Sequence, residues 1–146
     1  MSSDRAINEL GEGGKPSRAS ALEVIKEWLE PEGYKVTKEE EIETDLTESH
    51  RGYTNLVAEK DGETLRLEIE HRSPKEQVET NIRKNWSIRI LSIVASDEAA
   101  KRKVIQVALK TLFRLRREKP ERDLKVKIAS INELEESEFK DWFEVS

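Results

Sequence analysis

Apolar residues first recur at helical spacing from Ala21: Ala21, Leu22, Val24, Ile25, Trp28 and Leu29 share one side of a helix. Ser17 or Ser20 can cap that helix, and Pro31 and Gly33 stop it. The stretch before it, with Gly11, Gly13, Gly14 and Pro16, has no apolar period. It predicts a flexible tail over residues 1–19 ahead of a single domain over 20–146. Tyr34 to Thr44 alternates roughly and carries Glu39, Glu40, Glu41 and Glu43, the pattern of an edge strand guarded by charge. Tyr53 to Lys60 and Thr64 to His71 flank Asp61-Gly62, a dipeptide that supplies the positive backbone angles of a tight turn, so these two runs predict a β-hairpin.

Ser73-Pro74 opens a second predicted helix with Val78, Ile82 and Trp86 on its inner side, ending near Asn85. Ile88 to Ala95 is nearly continuous in apolar residues and predicts a strand buried on both faces, after which Ser96 can cap the next helix. From Asp97 to Glu118, Ala100, Val104, Val107, Ala108, Leu112 and Leu115 form one stripe and Lys103, Lys110, Arg114 and Arg117 the opposite one. That is a long amphipathic helix, stopped by Pro120. Leu124 to Ala129 alternates as a last strand, and Glu133 to Phe143 predicts a short closing helix presenting Phe139, Trp142 and Phe143. The order is helix, three strands, helix, strand, helix, strand, which predicts an α/β fold with a mixed central sheet in a three-layer sandwich.

Composition narrows the setting. The chain has no cysteine, so disulfides and thiolate metal sites are excluded, and the longest apolar run is too short to span a bilayer; both point to a cytoplasmic protein. Charged residues make up 39% and Asn plus Gln only seven, a thermophile-like profile. The net charge of -5 argues against coating nucleic acid through bulk charge. Charge is nevertheless segregated. Asp97 to Lys127 holds eleven Lys or Arg against five acids, while Ile128 to Ser146 holds one Lys against six. Arg114, Arg116, Arg117 and Lys119 either complement the C-terminal dipole of the long helix or form a surface that tracks phosphates.

On the third strand, Leu67-Glu68-Ile69-Glu70 places two acids two residues apart, so Glu68 and Glu70 share a face opposite Leu67 and Ile69. Asn55 lies on the preceding strand, thirteen residues before Glu68. On the second helix, Gln77, Asn81 and Lys84 fall at i, i+4 and i+7 on one side. This acid-x-acid strand, the element order and the Gln-x-x-x-Asn-Ile-x-Lys run together resemble the PD-(D/E)xK, or restriction-endonuclease-like, nuclease superfamily over roughly Ser20 to Ala129. The resemblance implies a restriction-endonuclease-like core in which Glu68, Glu70 and Asn55 hold Mg²⁺, or Mn²⁺ in its place, to hydrolyse phosphodiesters. Asn55 stands where the family has an Asp. It offers a neutral carbonyl oxygen, which lowers the ligand charge; Asp45, Glu48 and Glu59 are the nearest acids that could replace it.

By the same resemblance the catalytic set is Asn55, Glu68, Glu70, Gln77 and Lys84, with Lys84 or Arg72 supplying the cation of the family motif. Nucleic acid would be held by Arg72, Asn81, Lys84, Lys103, Lys110, Arg114 and Arg117. Glu23 matches an additional acid of some members, although a surface glutamate explains it better. His50 and His71 are too few for a zinc site, and His71 continues the inward register of Ile69. Gly-rich phosphate loops, Gly-x-Ser-x-Gly elbows and cysteine nucleophiles are absent from the sequence. Two functions stay open: a Mg²⁺-dependent nuclease, and a catalytically inactive nuclease-like module that binds nucleic acid or a protein partner. A homodimer is compatible with both, and the aromatic C-terminal region is the expected partner surface.

Overall fold

The computed structural model describes residues 18–43, 51–134, 136 and 141–146, with side chains described outside 18–22, 38–43 and 51–55. The predicted tail, apart from its last two residues, and the acids Asp45 and Glu48 lie outside these residues. The elements are α1 (Arg18–Leu29), β1 (Lys35–Glu43), β2 (Arg51–Lys60), β3 (Glu63–Glu70), α2 (Lys75–Arg83), β4 (Ile90–Ala95), α3 (Glu98–Glu118), β5 (Lys125–Ser130) and β6 (Phe143–Val145). Up to β5 this is the order that the periodicity predicts.

Among the described residues six strands form one sheet, in sequential order β1 to β6. β1, β2 and β3 pair antiparallel, β3, β4 and β5 pair parallel, and β6 returns antiparallel on β5. The β2–β3 turn has two residues, Asp61 (φ 49°) and Gly62 (φ 82°), closed by the Lys60–Glu63 pair. Both angles are positive, the turn geometry that matches strand twist. Each parallel step needs a crossover, and α2 and α3 supply the two of them.

The centre of the sheet is buried on both faces, giving three layers. On one side Val24, Ile25 and Leu29 of α1 pack on Leu56, Ala58, Leu67, Ile69, Val94 and Ala129. On the other, Val78 and Ile82 of α2 and Val104, Ala108, Leu112 and Leu115 of α3 pack on Leu91, Ile93, Val126 and Ile128. The fold is thus a mixed α/β three-layer sandwich. No helix among the described residues is long and apolar enough to cross a membrane.

Local differences from the sequence reading have physical causes. Ser20 lies inside α1 and so cannot cap it. Asp97 rather than Ser96 caps α3, its carboxylate accepting from Ala100 N–H at 2.7 Å. Ser96 is held instead by the sheet end, its N–H donating to Glu70 O at 2.9 Å. Of the expected closing helix over Glu133–Phe143, residues 135 and 137–140 lie outside the described residues; its start falls in a short 3-10 turn at Ile131–Glu133 and its end in β6, because the open edge of β5 offers Phe143 a backbone partner in Ile128. Phe139 lies outside the described residues. Of the two readings open for Trp142, an exposed partner-binding residue or part of the lid, burial favours the second: it is 4% exposed and stacks on Trp28 with ring centroids 5.3 Å apart.

At the C-terminal end of β5, Glu133 accepts from Lys101 Nζ at 2.6 Å and from Ser130 Oγ at 2.9 Å and Ser130 N at 3.2 Å. Burial acts to raise the Glu133 pKa, but the hydrogen bonds from Lys101 and Ser130 outweigh it and hold the carboxyl below its usual value.

Two stability predictions follow from these contacts. Trp142→Ala should cost about 3 kcal/mol or more in urea unfolding, as expected for a buried aromatic rather than a surface one. Glu133→Gln should cost on the order of 1 kcal/mol at neutral pH. Because the folded-state pKa of Glu133 is depressed, its contribution is present above the unfolded carboxyl value and is lost as pH falls through the folded value. Unfolding curves of the variant and the parent should therefore converge in acid.

Candidate functional site

β3 alternates as its sequence requires. Leu67 and Ile69 enter the α1 layer, and Glu68 and Glu70 lie on the opposite side, level with Ile93 and Ala95 of β4. Ile93 belongs to the core beneath α2 and α3, so both carboxylates lie under that helical layer. Each is only 2% exposed, so neither carboxylate faces open solvent as a substrate-facing metal site would. The cover over Glu68 includes the end of α2, where Lys84 and Asn85 meet its carboxylate.

An ionised carboxylate in such a place must be compensated. Glu68 Oε1 lies 3.0 Å from Lys84 Nζ and accepts from Asn85 Nδ2 at 3.2 Å. Asn85 is fully buried and also donates to Asn81 O at 2.7 Å, which fixes its amide across the end of α2. Glu70 Oε1 accepts from Ser73 N–H at 2.7 Å. That contact is possible because Arg72 adopts φ 54°, a left-handed conformation that turns the chain sharply after β3. Non-glycine residues pay for this conformation, so the surrounding contacts must hold it. Lys103 of α3 closes the same corner by donating to Ser73 O.

The other candidates divide. Gln77 is exposed and donates to Asn81 Oδ1 at 3.0 Å, on the outer part of α2. Lys84, from the same helical side, turns inward to Glu68. Arg114 lies 3.5 Å from Glu79 and so ties α3 to α2, and the Arg117 guanidinium lies 6.0 Å from the Phe113 ring centroid. Lys110 is exposed and lines a shallow cleft of about 240 Å³ with Lys75, Glu79 and Gln106; neither Glu68 nor Glu70 lines it. Arg72 is exposed beside Glu70. Glu23 and Glu59 are exposed surface acids. His71 is half-buried, its Nδ1 3.1 Å from Ser96 Oγ. His50 lies outside the described residues, and Asn55 is described by its backbone alone: the β2–β3 pairing runs to Leu56–Leu67, one residue short of Asn55 and Glu68.

Two residues with a part in this arrangement, Asn85 and Ser73, escape a search for motif acids. Asn85 had a signal: it continues the apolar stripe of α2, three residues beyond Ile82, and a polar residue there must meet a buried partner. Ser73 acts through its backbone, and no side-chain pattern carries that.

Whether these residues fit a divalent cation follows from their donors. Glu68 Oε1 and Glu70 Oε1 meet protein donors, and carboxylates two residues apart on one strand are hard oxygen ligands of the kind Mg²⁺ takes. They supply two ligands; no group of three or more His, Asp or Glu side chains able to hold a metal occurs among the described residues. Glu68 and Glu70 thus present two hard oxygen donors on one strand, and the Asn55 side chain lies outside the described ones.

Neither a family model nor a curated protein matches the chain. A crystal structure described as protein of unknown function AF1548 is similar at 14% identity and a TM-score of 0.41, covering 75% of this chain and 57% of that one. This chain thus spans little more than half the length of that protein.

The Glu68–Lys84 contact makes a direct prediction. Lys84→Met should destabilise the fold by about 3 kcal/mol by leaving a buried carboxylate without its cation. The double variant Glu68→Gln/Lys84→Met should recover most of that loss. A single-variant cost of a few tenths of a kcal/mol in urea unfolding, typical of an exposed pair, would contradict the assignment.

Proposed function

We propose that this chain is a nuclease-fold protein of the PD-(D/E)xK type that acts on nucleic acid, with Glu68, Glu70 and Lys84 as its reactive centre. The observation that carries the reading is the placement of Lys84 Nζ 3.0 Å from Glu68, with Glu70 two residues along the same strand. An ammonium then stands against the first of two acids on one strand, although the lysine comes from the end of a helix and not from the strand. Glu68 and Glu70 would hold Mg²⁺ or Mn²⁺ with the Asn55 carbonyl, and the metal when bound supplies an activated water and charge stabilisation at phosphorus. Lys84 would neutralise charge that develops on the phosphate oxygens, a role suited to a mobile point cation. Arg72, exposed on its left-handed turn two residues after Glu70, and Lys103, which donates to Ser73 O, belong to the same corner. The cysteine-free composition supports a cytoplasmic setting.

A second reading has a specific observation in its favour. Glu68 is already neutralised by Lys84 and Asn85 and almost wholly covered, an arrangement that can serve as a structural lock. On that reading the chain is a binding module for nucleic acid or a protein, using the exposed Arg72, Lys110 and Arg117.

The two readings separate in one assay. Purified protein is incubated with single- and double-stranded DNA and RNA in Mg²⁺, Mn²⁺ or EDTA. The nuclease reading expects metal-dependent cleavage that Glu68→Gln and Glu70→Gln each reduce by about a hundredfold or more, and that Asn55→Asp increases. Cleavage that persists in EDTA, or in Glu70→Gln, would reject it. Salt-sensitive binding without cleavage in any metal would leave the binding module.

A further inference from the structure

The long helix α3 has three distinct sides. Val104, Ala108, Leu112 and Leu115 lie in the core against the sheet, and Arg114 and Glu118 meet Glu79 and Arg83 of α2 at 3.5 and 2.7 Å. Helical spacing leaves Arg102, Leu109, Phe113 and Arg116 on the remaining, outward side. There Leu109 is 55% exposed and Phe113, one turn further on, 65%. Arg102, Lys110 and Arg116 are exposed and make no ion pair among the described residues, and the Arg117 guanidinium lies 6.0 Å from the Phe113 ring centroid. The two acids of α3 do not serve this side: Glu98 accepts from Ser130 Oγ and Glu118 is paired with Arg83.

A helix packed on a sheet needs only polar residues on its outward side, so an exposed Phe with a Leu one turn away departs from what folding requires. An exposed apolar group ringed by charge marks a place for a partner. The charge sets the partner's sign, because a surface with cations and no acid fits an anion. The ring sets its shape. A base presents a flat face that stacks on an aromatic side chain, while its backbone brings phosphates to the arginines. In a duplex those faces are already stacked on one another, so the ring selects an unpaired strand. A protein partner fits less well, since two side chains fall far short of the ~800 Å² per partner that a stable protein interface covers. We infer that the outward side of α3 binds single-stranded nucleic acid, with a base stacked on Phe113 and phosphates on Arg102, Arg116 and Arg117. From Arg102 to Arg116 the helix rises about 21 Å, a track for several nucleotides. The inference rests on the reading of the chain as a nucleic-acid protein and adds the strand state and the residues that select it.

The test is fluorescence anisotropy of a labelled oligothymidylate with the full chain in EDTA, so that metal-dependent cleavage cannot intervene. Saturable binding is expected at low salt, and weaker binding of the same strand in a duplex. Phe113→Ala should lower the affinity by about tenfold and Phe113→Trp should retain it, because another ring stacks as well. Urea unfolding of both variants should match the parent, which excludes unfolding as the cause. Arg102→Gln/Arg116→Gln should lower the slope of log affinity against log salt by about 1.4, as for two phosphate contacts on a single strand. Binding undiminished in Phe113→Ala, or a duplex held as tightly as the single strand, would overturn the inference and leave the wider nucleic-acid reading standing. Absence of binding to any DNA or RNA would remove both. Oligoglutamate that displaces the strand at equal charge would assign this side of α3 to an acidic protein segment and so overturn the inference.

Discussion

One buried charge organises this molecule. Glu68 sits in the middle of the sheet, under a helix, where an uncompensated carboxylate would cost several kcal/mol. It is tolerated because the end of α2 delivers Lys84 and Asn85 to the same oxygen. That requirement ties the end of α2 to β3 at the start of the crossover into β4. An apolar residue at position 68 would pack there more cheaply. The retention of a carboxylate beside a second one at Glu70 is therefore a feature with a cost, and costs of this kind gather at functional sites.

The corner after β3 has the same character. Arg72 adopts a conformation that glycine would take more easily, and the reward is a hydrogen bond from Ser73 N–H to Glu70. Lys103 then holds the Ser73 carbonyl from α3, so the turn is anchored from both sides. Each of the two carboxylates is thus oriented by groups from outside its own strand. That is the support a reactive centre needs, because a ligand oxygen that swings freely positions nothing. The same rigidity serves a binding module equally well, and chemistry rather than geometry separates the two.

Much of the architecture was legible because each element has an unambiguous period or punctuation. Asp61-Gly62 could hardly sit anywhere but a hairpin turn, and the stripes of α3 leave one orientation for a helix of that length. Glu68 and Glu70 sharing a face followed from strand alternation alone. Their burial did not follow, because it depends on groups such as Lys84, Asn85 and Ser73 that the chain brings back to them, and contacts between distant elements leave no local pattern. Trp142 and Phe143 misled for a related reason. Their apolar residues fit a helix as well as a strand, and the free edge of β5 decided the outcome. The pairing of Trp142 with Trp28 likewise joins residues more than a hundred positions apart in the chain.

The central claim is that Glu68 and Glu70 act together as a cation-holding pair beneath α2. Paramagnetic Mn²⁺ at substoichiometric amounts tests it most directly, by selective broadening of backbone amide signals. The account predicts broadening centred on residues 67–73 and 84–85, removed by Glu68→Gln or Glu70→Gln. Broadening confined to exposed acids such as Glu23, Glu59 and Glu121, with the β3 signals sharp, would contradict it.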